Sequence, residues 1–177
     1  NTVFQTSDGF VWIGSYSGLI RYDGNDFYRY DSSTGVSSVV SLYADSQNRL
    51  WVGTNDSGVG MLKDEQFTFY TREDGLSSVT IRSITEDEDG YILIATTLGV
   101  ASVDPEGVMS PVNDAMVNTQ YVCELVPGPD GVVGLIPTAL SHRSGQHLSH
   151  GKRPELHPLG KWRQPQLRSG AVLLRWE

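Results

Sequence analysis

Apolar residues fall in short runs along this chain, and each run is closed by glycine, aspartate, asparagine or serine. The clearest stretch begins at Val39. One run covers Val39–Ala44, then comes the polar turn Asp45-Ser-Gln-Asn48, and a second run covers Leu50–Thr54. The loop Asn55-Asp-Ser-Gly58 leads to a third run, Val59–Lys63, and a turn at Asp64-Glu-Gln66 leads to a fourth, Phe67–Thr71. Runs this short, bounded by turn formers, predict β-strands rather than helices. Asp-Gly or Asn in the first turn suits the positive φ of a tight hairpin. Four strands joined this way make one antiparallel sheet.

The unit recurs. Asp8-Gly9, Gln47-Asn48, Asp89-Gly90 and Asp130-Gly131 fill the same turn, at successive offsets of 39, 42 and 41 residues. A period of about 40 residues is one of the lengths of a four-stranded propeller blade. The expected fold is all-β: about four β-propeller blades of four antiparallel strands, a partial propeller or a fragment of one. The blades fall near 1–38, 39–79, 80–118 and 119–150. Trp12, Trp51 and Leu93 share one slot on the second strand, and Gly14, Gly53 and Ala95 lie two residues on, on the same face. A bulky residue beside a tiny one lets the next sheet approach closely. The fourth copy is weaker, with Gly134 in the tryptophan slot.

Charge divides the chain. The net charge is −8, but residues 1–150 carry −12 and residues 151–177 carry +4. The acidic body would repel phosphate backbones, so nucleic acid is not an expected partner. The basic, proline-bearing stretch 151–177 reads as a divergent tail, either a degenerate blade or an out-of-frame end, with Ala171–Trp176 able to form one strand. Cys123 is alone, so no intrachain disulfide forms. No run approaches the roughly 20 apolar residues that span a bilayer. No signal peptide is visible, and the chain opens inside what reads as a strand, so the expectation is a segment of a longer protein.

The string Asp8-Gly-Phe-Val-Trp12-Ile-Gly-Ser-Tyr-Ser-Gly-Leu-Ile-Arg-Tyr-Asp-Gly24 resembles the two-component regulator propeller repeat. Arg49-Leu-Trp-Val-Gly-Thr54 and the linker Asp74-Gly-Leu-Ser-Ser78 agree with it. The resemblance covers residues 1–104 well and 105–150 loosely. Virginiamycin-lyase-like propellers have similar short strands, and the sequence leaves that reading open. The regulator resemblance implies a non-catalytic, ligand- or signal-sensing segment of a bacterial membrane receptor, periplasmic in an inner-membrane protein. It implies a small-molecule ligand, with carbohydrate as one class. The remaining receptor chain would hold a transmembrane helix and a histidine kinase or diguanylate cyclase, and pairing as a homodimer is compatible with this.

No Gly-x-Ser-x-Gly elbow occurs. The cluster His142, His147, His150 and His157 matches no zinc spacing. The acidic turns at Asp8 and at Glu86–Asp89 lack the ligand order of a calcium loop and read as turn formers. The expectation is therefore no catalytic residue, no metal and no cofactor. The loops after each second strand vary while the strands repeat, and variable loops on a rigid scaffold are where binding concentrates. Tyr16, Asn55, Asp56 and Thr97 are the candidate ligand contacts, through stacking and hydrogen bonds. An enzyme would instead bring carboxylates such as Asp56, Glu86 and Asp87 together with the histidines, and a scaffold would expose a broad apolar patch.

Overall fold

The computed structural model describes residues 2–112, 122–127, 132–137, 162–163 and 172–176. They form four four-stranded antiparallel sheets. The first contains β1 (Thr2–Gln5), β2 (Val11–Ser15), β3 (Gly18–Tyr22) and β4 (Phe27–Tyr30). The second contains β5 (Val39–Ala44), β6 (Leu50–Thr54), β7 (Val59–Lys63) and β8 (Gln66–Tyr70). The third contains β9 (Ile81–Glu86), β10 (Ile92–Thr96), β11 (Gly99–Val103) and β12 (Met109–Pro111). Each of these three is a simple meander.

The fourth sheet departs from that order. It contains β13 (Val122–Pro127), β14 (Val132–Pro137), β15 (Trp162–Arg163) and β16 (Val172–Trp176), arranged β13-β14-β16-β15. Its third and fourth strands thus come from the stretch that composition sets apart as a tail. The proline-free run near the C-terminus is long enough to pair with β14, whereas β15, between Pro158 and Pro165, is two residues long.

The turn chemistry is local. Asn48 has φ 58° and Gly90 has φ 83°, the left-handed conformation that a tight hairpin needs. The linkers between sheets are single 3-10 turns over Ser32–Thr34 and Arg72–Asp74, capped by the side chains of Asp31 and Thr71. Each linker then drops one apolar residue, Val36 or Leu76, into the core.

The sheets stack face to face. β5 lies against β1 and β2, β9 against β5 and β6, and β13 against β9 and β10, so the first strands run side by side along one edge. The small residues sit where the stack is tightest. A methyl group placed on Gly14 would lie 2.5 Å from Val39 Cγ1, and one on Gly53 would lie 2.6 Å from Ile81 Cγ2. Bulky rings fill the space farther out. Trp51 stacks on Tyr70 at 5.7 Å, and Tyr30 meets Phe67 edge-on at 5.7 Å. Both faces of the middle sheets are covered, and every residue of β6, β10 and β11 is buried. β2 instead alternates, with Trp12 and Gly14 buried and Val11, Ile13 and Ser15 half-buried.

Candidate functional site

Antiparallel alternation gives the stack two rims. The turns between second and third strands share one rim with the sheet-to-sheet linkers. The turns between first and second strands, and between third and fourth, share the other.

All four residues singled out from the sequence lie on the first rim. Tyr16 is 76% exposed, and its carbonyl accepts from the Ser38 amide at 3.0 Å. The Asn55 amide donates to Ser38 O at 3.0 Å, and Asn55 O accepts from the Thr80 hydroxyl at 2.9 Å. Exposed Asp56 accepts from the hydroxyls of Ser37 at 3.3 Å and Ser57 at 2.9 Å. Thr97 shares a 2.7 Å hydrogen bond with Ser78, and its amide donates to Thr80 O at 3.1 Å. Each linker is therefore tied to a neighbouring turn, which fixes the backbone while leaving Tyr16 and Asp56 open to solvent. Ser38 holds φ 48°, an uncommon conformation for serine, at the centre of this network. The rim offers hydroxyls, a carboxamide, a carboxylate and a ring face, a set suited to neutral polyhydroxylated molecules.

The second rim carries features that the sequence reading did not single out. A cleft of about 1040 Å³ opens between the first and second sheets, floored by Phe4, Trp12, Leu50 and Leu62 and bordered by the turns at Thr6–Phe10, Asp45–Asn48 and Lys63–Glu65. Arg21 reaches into it. Its guanidinium carbon lies 4.8 Å from the ring centres of both Phe10 and Tyr28, and Nη1 lies 3.4 Å from Glu65 Oε1. Register explains why sequence spacing hid this group: Arg21 is cross-strand from Trp12 and diagonal to Phe10, contacts that exist only once β2 and β3 pair.

The same rim holds a buried polar cluster. Asp45 accepts from the Trp51 indole at 2.7 Å, from Arg49 Nε at 2.5 Å, and from the amides of Gln47 and Arg49. Arg49 Nη1 continues to Pro105 O at 3.3 Å in the next sheet. Glu86 bridges sheets too, accepting from the Ser46 amide and hydroxyl. Thr6 takes the place of Asp45 in the first sheet and accepts from Trp12 Nε1 at 3.2 Å. Asp87 takes that place in the third, where Tyr91 and Leu93 stand in the positions of Arg49 and Trp51. Asp87 Oδ1 accepts from two amides, Oδ2 is buried without a hydrogen-bond partner, and burial pushes the carboxyl above its ordinary range.

These positions separate the carboxylates that a hydrolytic or lyase site would gather. Asp56 lies on the first rim and Glu86 and Asp87 on the second, each engaged in its own turn or cross-sheet bond. Asp8 likewise accepts from the Phe10 amide within its turn. Among the described residues, no three His, Cys, Asp or Glu side chains could hold one metal ion. His142, His147, His150 and His157 lie outside the described residues.

Residues 34–56 and 75–97 match the family described as two component regulator propeller. The resemblance read from the sequence holds: the chain carries two component regulator propeller repeats. Each matched span runs from a linker to the turn that holds Asn55 and Asp56 or Thr97, whereas the string at 8–24 falls outside both. No curated protein matches the chain. Among solved structures, the extracellular domain of a hybrid two component system from B. thetaiotaomicron is similar at 20% identity over 75% of this chain and 20% of its own, with a TM-score of 0.66. PorZ, a surface component of the type-IX secretion system of Porphyromonas gingivalis, is similar at 18% identity over 82% of this chain and 23% of its own, with a TM-score of 0.59. A virginiamycin B lyase from Staphylococcus aureus is similar at 15% identity over 75% of this chain and 47% of its own, with a TM-score of 0.56. At these identities the likeness establishes the propeller-type fold. The chain spans about a fifth of the length of the first such domain. Among the described residues, no helix is long and apolar enough to cross a membrane.

Proposed function

We propose that this chain is a ligand-sensing propeller segment from the extracytoplasmic part of a bacterial signalling receptor, without catalytic activity of its own. The observation that carries the reading is the coincidence of two regulator-propeller repeats with a rim of variable polar turns built at their ends. The ligand is a small neutral molecule, with carbohydrate the class best matched to a ring face beside hydroxyl and amide groups. Tyr16 supplies stacking, and Asn55, Asp56 and Thr97 supply hydrogen bonds. Binding across adjacent turns would change how neighbouring sheets sit. The rest of the receptor, with its transmembrane helix and output domain, would read that change, and two receptor chains would pair. The sensing segment would lie in the periplasm.

A thermal-shift screen of the chain against neutral oligosaccharides tests this reading, followed by calorimetry on any hit. Tyr16→Ala should weaken binding about two- to twelvefold, the worth of one aromatic contact at roughly 0.5–1.5 kcal/mol. Arg21→Met, in the opposite cleft, should leave affinity unchanged. Binding lost in Arg21→Met and kept in Tyr16→Ala would move the site to the second rim. A lyase reading, favoured by the likeness to virginiamycin B lyase, predicts turnover of a hit rather than simple binding.

A further inference from the structure

The cleft between the first and second sheets opens where three residues that close the next seam are replaced. Between the second and third sheets, Arg49 and Gln47 both reach Pro105 O at 3.3 Å, and Ser46 reaches Glu86. At the first seam Phe10 stands in the place of Arg49, Thr6 in the place of Asp45, and Ala44 in the place of Glu86. A ring, a hydroxyl and a methyl group cannot form those ion-pair and cross-sheet bonds. The seam parts instead into a volume of about 1040 Å³ over Phe4, Trp12, Leu50 and Leu62. That is about the upper end of the range for small-molecule sites.

Arg21 gives this cleft a cation that the next seam lacks. It stands cross-strand from Trp12, a slot that Met61 holds in the second sheet and Ser102 in the third. Its side chain is 16% exposed, and its guanidinium carbon lies 4.8 Å from the ring centres of Phe10 and Tyr28 and 5.9 Å from that of Trp12. Nε is buried and makes no hydrogen bond. The one ion pair Arg21 makes among the described residues is long, 3.4 Å, to a Glu65 side chain that is 76% exposed. A guanidinium with most of its water removed and so few acceptors is under-satisfied, and buried donors in folded proteins are as a rule paired. Glu65 reaches Arg21 from a two-residue turn in which Asp64 and Glu65 hold φ 49° and 62°. The turns between the same strands of the first and third sheets meet that need with Gly24 and Gly107.

We propose that this cleft is a separate ligand site, for a small molecule with an apolar body and one carboxylate, whose carboxylate takes Arg21 in exchange for Glu65. The floor selects the body, and the under-satisfied guanidinium selects the head group. Other carboxylates on the border are already engaged: Asp45 pairs with Arg49, and Asp8 accepts from the Thr6 hydroxyl and the Phe10 amide. Lys63 and Asp64 offset one another in charge. The acidic body of the chain favours a singly charged ligand over a doubly charged phosphate. Releasing Glu65 costs little, because an exposed ion pair is weak. A carboxylate held against the apolar floor gains stronger, charge-assisted hydrogen bonds. The cleft and the rim that bears Tyr16 lie at opposite ends of the strands, so the site is independent of whether a sugar binds there.

Binding of 3-phenylpropionate to the whole chain, followed by tryptophan fluorescence and amide exchange, tests this. The neutral 3-phenylpropionamide and the cationic 2-phenylethylamine serve as comparisons. The carboxylate should saturate at about 10 mM or below, the weak end for a ligand of about eleven heavy atoms. It should slow exchange at residues 6–10 and 63–65 and bind at least about tenfold more tightly than the amide. Arg21→Met should remove that preference. Glu65→Gln, at an exposed position, removes the competing carboxylate and should tighten binding about 1.5- to fivefold. Tyr16→Ala should leave it unchanged. Equal binding of acid and amide, weaker binding in Glu65→Gln, or no saturation by the carboxylate would overturn the proposal. Tighter binding of 2-phenylethylamine would overturn it too, and would assign recognition to the acidic border.

Discussion

Gly53→Ala probes the packing that sets the spacing of the sheets. The new methyl would lie 2.6 Å from Ile81 Cγ2 and 3.2 Å from Ser41 Cβ, and Ile81 is fully buried. Overpacking of this kind costs about 1–3 kcal/mol. Loss of glycine's freedom in the unfolded chain returns about 0.4–1 kcal/mol. The third sheet carries Ala95 at the same slot, in a cluster with Val122, so a methyl fits once the neighbouring strand shifts. The net expectation is a destabilisation of roughly 0.5–2 kcal/mol, toward the lower end. Ile81→Ala alone should cost about 2–5 kcal/mol through its cavity. The double variant should be more stable than the sum of the two losses by at least about 1 kcal/mol, because the new methyl enters the space that Ile81 vacates. Urea denaturation followed by tryptophan fluorescence gives all four corners of the cycle. Losses that add to within about 0.3–0.5 kcal/mol would refute direct contact between these positions.

Three further outcomes follow from the polar groups. Asp45→Asn should destabilise the chain by about 3–5 kcal/mol, since it leaves the buried Arg49 charge without its carboxylate, and Arg49→Met on that background should recover part of the loss in urea titrations. Asp87 holds its proton more tightly in the folded chain than in the unfolded one, so its contribution to stability falls as pH rises from the ordinary aspartate range through the raised native value; Asp87→Asn should flatten that part of the stability–pH profile in thermal melts. Ser46→Ala should loosen the second sheet against the third by removing one of the two donors on Glu86, seen as faster amide exchange at Ser46–Asn48 with β6 unchanged.

Strand pattern, turn chemistry and the bulky–small slot were legible because each depends on a few neighbouring residues. The second sheet was expected as Val39–Ala44, Leu50–Thr54, Val59–Lys63 and Phe67–Thr71, and only the last is displaced, by one residue. Gly14 and Gly53 meet the next sheet as their pairing with Trp12 and Trp51 predicts. What stayed hidden depends on register or on distant chain. Arg21 reaches Phe10 through cross-strand pairing and Glu65 from another sheet, so no local spacing marks it. Asp45 was read as a turn former; its second oxygen serves Trp51, six residues on, a signal readable only as an aspartate six residues before the tryptophan slot. The fourth sheet takes its third strand, β16, from the divergent basic stretch; the run Ala171–Trp176 reads as a strand from sequence, but its pairing with β14 does not. Tyr16, Asn55, Asp56 and Thr97 could be placed at turns from sequence, while the linker bonds that hold those turns on one rim could not.

Hydrogen exchange with and without a neutral oligosaccharide found by the thermal-shift screen is the most direct test of the sensing role. The ligand should slow exchange at the turns around Tyr16, Asn55–Ser57 and Thr97 and at the Ser37–Ser38 linker, with the cleft turns at Asp45–Asn48 and Lys63–Glu65 unchanged. Protection confined to the cleft turns, or no protection on either rim from any sugar in the screen, would contradict that role.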